Sequence, residues 1–133
     1  MNNVTLCTVD FSDTSRNVLN CAVRLSKPMN SHLTILYAYR FLTMPDHAPV
    51  ETRNRIEANA RQQFSTLEKD ILVGSGISYD FKIEVGFMSN RIAEYAKNND
   101  VNFLVMSNKM NLSSKESFDE MVEKIHLPFV IVP

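Results

Sequence analysis

The residues whose type and position could serve chemistry are few. Asp10 follows the apolar run Val4 to Val9 and is itself followed by Ser12 and Asp13. A carboxylate there can hold an adenine or a ribose. It can equally cap a helix together with Ser12 and Asp13, a role worth roughly 1 kcal/mol, and capping is taken as the default. A second group lies after an apolar run ending at Met106: Ser107, Lys109, Asn111, Ser113, Ser114 and Lys115. At a helix N-terminus such residues can hold an anion with help from free N–H groups and the helix dipole. The same composition also suits any solvated loop. Phosphate chains are usually cradled by backbone amides, which come close only through glycine because a Cβ obstructs the turn. The chain has three glycines, at 74, 76 and 86, so it carries neither a Walker loop nor a G-x-G-x-x-G fingerprint. Gly74-Ser75-Gly76 follows a helical stretch and precedes an extended one, the wrong order for phosphate, and reads as a turn.

Other chemistry finds little support. His32, His47 and His126 have no ligand spacing, and Asp46-His47 between Pro45 and Pro49 reads as a surface turn. No metal site is expected. No H-x-x-x-H, no G-x-S-x-G and no carboxylate pair in a defined motif gives hydrolase chemistry a foothold, so no enzyme is expected. Cys7 and Cys21 form no C-x-x-C pair and read as small apolar residues. Met44, Met88, Met106, Met110 and Met121 are scattered, which suits gap-filling better than a copper site.

The elements that must position these residues are legible from periodicity. Val4 to Val9 reads as a buried strand. Val18, Leu19, Ala22, Val23 and Leu25 fall at helical spacing in a helix from Phe11 to Lys27, which Pro28 ends and Ser12 or Asp13 caps. Leu33 to Tyr39 is a second strand. Ile56, Ala60, Phe64, Leu67 and Ile71 form one stripe along a long helix. Ile77, Tyr79, Phe81, Ile83 and Val85 alternate with Ser78, Asp80, Lys82 and Glu84, giving a third strand with one wet face. A short helix opened by Ser89 or Asn90 carries Ile92, Ala93, Tyr95 and Ala96. Phe103 to Met106 is a fourth strand, Phe118, Met121, Val122 and Ile125 mark a last helix, and Phe129 to Val132 is a fifth strand. Strand and helix alternate throughout, so the expected fold is an α/β doubly wound domain spanning 1–133 with a five-stranded parallel sheet.

Composition narrows the partners. The 133 residues fit one domain, with 44% hydrophobic and 22% charged residues. The net charge of −1, from 14 basic and 15 acidic residues, is well mixed, with no basic stripe for nucleic acid. No apolar run is long enough for a membrane span and the N-terminus does not resemble a signal peptide. Unpaired cysteines suggest a reducing compartment, and the expected location is cytoplasmic.

Along nearly its whole length the chain resembles the universal stress proteins. VTLCTVDFSDTSRNVLNCAVRLSK is similar to that family's first strand, Asp-x-Ser turn and first helix. VGFMSNRIAEYAKNNDVNFLVMS resembles its Gly-x-Pro-x-x-x-Ile helix and the strand ending Val-Met-Gly, and PFVIV resembles its last strand. The resemblance implies the strand order 3-2-1-4-5. It also implies ATP or AMP binding in many members, through an aspartate after the first strand and a Gly-x-x-Gly-(nine residues)-Gly-Ser/Thr loop after the fourth. The aspartate matches Asp10. The loop's first two glycines fall on Ser107 and Met110, its third glycine and Ser/Thr on Lys115 and Glu116, and the family's proline on Met88. These departures point to the branch that binds no ATP, similar to the type A proteins, which are cytoplasmic dimers with regulatory roles.

The implied order makes the third and fifth strands the sheet edges. Asp80, Lys82 and Glu84 discourage pairing on one edge, whereas Phe129, Val130, Ile131 and Val132 carry no charge on the other. That edge is expected to pair with its mate across a two-fold axis, unless the four residues simply fill the core. The expected function is thus a stress-response or regulatory dimer acting on an unidentified protein partner, without cofactor or catalysis. The alternative is an adenine-nucleotide sensor in which Asp10, Ser107 and Lys109, with Ser113 and Ser114, hold AMP or ATP.

Overall fold

The computed structural model describes residues 3–40, 50–110 and 117–133. In chain order the elements are β1 (Val4–Thr8), α1 (Thr14–Met29), β2 (His32–Tyr39), α2 (Val50–Leu67), a π-helical turn (Glu68–Leu72), β3 (Tyr79–Val85), α3 (Met88–Asn98), β4 (Val101–Ser107), α4 (Phe118–Lys124) and β5 (Phe129–Val132). The five strands pair in the order β3-β2-β1-β4-β5, every pairing parallel, as expected. The continuous apolar runs form the centre, where both faces of a strand are covered.

Alternation along the strands divides the core in two. On one face Cys7, Val9, Leu33, Ile35 and Val105 meet Val18, Leu19 and Ala22 of α1 and Phe64 and Leu67 of α2. On the other, Leu6, Leu36, Leu104 and Met106 meet Met88 and Ile92 of α3 and Met121 of α4. Each fully buried large aliphatic side chain contributes roughly 1.5–3 kcal/mol. β3 sends Tyr79 and Phe81 to the first face, where Phe81 stacks on Phe64 with centroids 4.2 Å apart. Its polar residues face the second side, where Glu84 lies 3.9 Å from the Arg91 guanidinium of α3.

Three boundaries differ from expectation. Pro28 lies inside the last turn of α1, where a lost N–H disturbs little downstream helix. The helix ends instead at Asn30, left-handed at φ 51°, whose N–H reaches the Ser26 and Lys27 carbonyls. The second helical stripe does not run on as one α-helix, because the π turn after Leu67 swings Leu72 into the core. Gly86, at φ 136°, turns the chain out of β3 so early that α3 starts at Met88, leaving Ser89 and Asn90 in its first turn rather than at its cap.

Tyr39, at the end of β2, donates to Glu57 Oε2 of α2 at 2.6 Å. Burial first, then the bond to Glu57, push its pKa up to about 12. An unfolded tyrosine titrates near about 10. The folded value is the higher one, so this contribution to stability is fully present below about pH 10 and is lost as pH rises through about 12. Tyr39→Phe is therefore expected to flatten the alkaline limb of a Tm-against-pH curve over that window. A limb unchanged in the variant would assign it to another group.

Candidate functional site

Ligands of doubly wound sheets sit beyond the carboxyl ends of the strands where the order reverses, here between β1 and β4. The β1 side is built around Asp10. Its Oδ1 accepts from the Ser12 N–H at 2.9 Å, from Ser12 Oγ at 2.6 Å and from Ser15 Oγ at 3.1 Å. Ser15 Oγ in turn accepts from the Asp10 and Phe11 amides at 3.2 and 2.9 Å. The expected helix cap is corrected. Asp13 occupies the N-cap position in helical conformation, without a side-chain cap bond, and Ser12 is spent on Asp10. The carboxylate braces the turn ahead of the helix rather than the helix itself.

The cause is Phe11, which is left-handed at φ 62°. That conformation costs a side-chain-bearing residue roughly 1–2 kcal/mol. The Phe11 ring meets Tyr37 at 5.1 Å and Phe81 at 6.1 Å between centroids. Two such aromatic pairs contribute roughly 0.5–1.5 kcal/mol each, enough to offset the strain. Burial, and then the charge of Asp10, raise the Tyr37 pKa, so its phenol stays protonated beside the carboxylate.

The β4 side is closed by side chains. Ser107 is buried, and its Oγ accepts from the Lys109 N–H at 2.9 Å. Met110 packs on the second core cluster with its sulfur 3.8 Å from Thr8 Oγ1, over the end of β1. Lys109 is exposed. Asp10, Ser107 and Lys109 thus lie at the ends of two adjacent strands, while Ser113 and Ser114 fall outside the described residues. Beyond β2, Arg40 lies over the Phe87 ring at 4.0 Å. Cys7 is buried; burial first, then Cys21, push its thiol far above its ordinary range, which fits a packing role. Among the described residues no group of three His, Cys, Asp or Glu side chains could hold a metal ion, and no helix is long and apolar enough to cross a membrane.

A second polar constellation was not foreseen. His32 Nε2 lies 2.8 Å from Asp80 Oδ1, and His32 Nδ1 is hydrogen-bonded to Ser78 Oγ. Thr34 Oγ1 donates to the same Asp80 oxygen at 2.7 Å and lies 2.7 Å from the Tyr95 hydroxyl. His32, Thr34, Asp80 and Tyr95 border a groove of about 610 Å³ between α3 and the uncovered face of β2 and β3, whereas Ser78 lies outside its lining. Parallel register creates the cluster by setting Thr34 beside Asp80. Only the alternation of polar residues in 78–84 hinted at it, and that was read as edge protection.

The chain matches the Universal stress protein family over residues 1–118. It belongs to that family. Among solved structures, the universal stress protein UspA from Lactobacillus plantarum superposes with a TM-score of 0.80 at 19% identity, covering 99% of this chain and 98% of that one. A universal stress protein in complex with cAMP has a TM-score of 0.71 at 16% identity, covering 99% and 97%. The universal stress protein from Archaeoglobus fulgidus in complex with dAMP has a TM-score of 0.71 at 14% identity, covering 100% and 98%. No curated protein matches the chain significantly. In this universal stress protein, Ser107 and Met110, where the sequence resemblance puts the first two glycines of the family's loop, are both engaged as described above.

Proposed function

We propose that this universal stress protein is a regulatory binding module, a homodimer joined along β5, that neither binds nor turns over ATP at the carboxyl ends of β1 and β4. The observation that carries this reading is Met110 seated against Thr8, filling space next to a Ser107 hydroxyl already committed to the Lys109 amide. A phosphate chain needs close, free backbone amides, and here a side chain takes one of them. β5 supports the dimer. It is the last strand of the sheet, it carries no charge, and its Ile131 remains 38% exposed. The cytoplasm is the proposed location.

The competing reading, a sensor of AMP or ATP, draws on two neighbours whose structures hold cAMP and dAMP and on Asp10 at the end of β1. The two readings separate in one experiment. The purified protein is denatured and the released small molecules chromatographed, and fresh protein is titrated with Mg-ATP and with AMP by calorimetry. No nucleotide and no heat at millimolar ligand is the expected result. Stoichiometric nucleotide, or micromolar binding that weakens in Asp10→Ala, would make the protein a sensor instead.

A further inference from the structure

At the other end of the sheet, the Ser78, His32 and Asp80 side chains are connected in the order nucleophile, base and orienting carboxylate. Ser78 and Asp80 are two residues apart and so share a face. His32 lies two residues before Thr34, the register partner of Asp80, on that same face. Asp80 accepts from Thr34, whose single proton is thereby committed, so Tyr95 must donate to Thr34. An acceptor carboxylate 2.8 Å from Nε2 fixes the proton on that nitrogen. The Nδ1 lone pair is then left facing the Ser78 hydroxyl.

A donor for a developing oxyanion adjoins the serine. The Leu33 N–H bonds to the Ser78 carbonyl and the Gly86 N–H to the Tyr39 carbonyl, both at 2.9 Å. A parallel ladder uses alternate residues of a strand, so Tyr79, between Ser78 and Asp80, turns its N–H away from β2. β3 is the sheet edge, and that amide faces the open side. Ser78 is exposed and, with His32, lines a cleft of about 500 Å³ bounded by Asn30 and Ile77, the volume of a small-molecule site.

We propose that Ser78, His32 and Asp80 form an acyl-transfer site for small carboxylic esters, separate from the carboxyl ends of β1 and β4. Ser78 Oγ attacks the ester carbonyl carbon and gives its proton to His32 Nδ1. The bond from that carbon to the leaving oxygen breaks, and His32 returns the proton to the departing alcohol, leaving acyl-Ser78. Water, activated by the same nitrogen, then releases the acid and restores the serine. Asp80 touches no reacting atom and acts as a positioning residue through His32. One backbone donor is a sparse oxyanion site and slows both steps, so an activated ester with a good leaving group acylates Ser78 faster than water releases the acyl group.

The test uses the full chain with p-nitrophenyl acetate. A burst of p-nitrophenolate is expected, followed by slow turnover, with acetyl found by mass spectrometry on the peptide containing Ser78. Ser78→Ala, a change at an exposed position, is expected to abolish the burst and reduce the rate about 100-fold. Asp80→Asn is expected to slow the burst about tenfold while the acetyl still lands on Ser78, a split that simple unfolding does not produce. An undiminished rate in Ser78→Ala, or acetyl confined to lysines, would overturn the proposal. So would Ser78 acetylation at equal speed in Asp80→Asn.

Discussion

Replacing Ser15 by alanine is expected to destabilise the protein by about 2–4 kcal/mol, more than any other single hydroxyl removed near Asp10. Ser15 is buried, and its Oγ is the acceptor for both the Asp10 and Phe11 amides as well as a donor to Asp10 Oδ1. Alanine leaves two partly buried amides without this acceptor, and an unsatisfied buried group costs about 1–3 kcal/mol. Phe11 is already held in a strained left-handed conformation, so the turn has no relaxed alternative that keeps its ring between Tyr37 and Phe81. Ser12→Ala removes two interactions from the same turn but orphans no amide, and is expected to cost only about 1 kcal/mol. Urea unfolding of the two variants checks the order. Equal losses, or a loss below about 1 kcal/mol for Ser15→Ala, would mean that water or Asp10 takes over the acceptor's role.

Ile131→Lys is the second large effect, and it falls on association rather than folding. Within β5, Val130 and Val132 pack on the α1 side of the core and Phe129 on the α4 side, whereas Ile131 is left 38% exposed. Val122 of α4 is also exposed, at 41%. A lysine at 131 keeps the buried residues of β5 in place but brings a charge, and its symmetry mate, into the proposed interface. The dimer is expected to weaken at least about thirtyfold, the factor for the ~2 kcal/mol of an interface hot spot, with little change in the melting of the monomer. Sedimentation equilibrium reads this directly. A wild-type protein that sediments as a monomer, or a variant that dimerises as well as the wild type, would send the apolar edge back to core filling.

The sequence revealed those features that depend on local periodicity. The strict alternation of 77–85 announced β3 and its wet face, and the charge-free FVIV announced an edge strand once the order was known. Asp10 was found because it follows an apolar run. Its actual partners were not, because Ser15 looks like an ordinary residue in the first turn of a helix, and only the backward fold of the turn at Phe11 brings its hydroxyl under two amides. The Ser78–His32–Asp80 cluster was invisible for a different reason. Its members are 46 and 48 residues apart, and parallel register is fixed by crossover helices rather than by anything readable at either position. The end of α1 was misplaced by two residues because Pro28 is tolerated where so little of the helix remains.

The strand order has a consequence for how the chain acquires its structure during synthesis. Val4 pairs with His32 on one side and with Val101 on the other. The first pairing closes a short loop and can form once α1 and β2 have emerged. The second must wait until about 70 further residues are made, several seconds at a ribosomal rate of about 5–20 residues per second. For that interval β1, whose five residues are all buried in the finished protein, would present one bare edge and the uncovered side of Leu6. Nascent chains of this protein are therefore most vulnerable to mispairing between the completion of β2 and the arrival of β4. A chaperone acting on them would have this central strand, and not the outer edge at β5, as its first target.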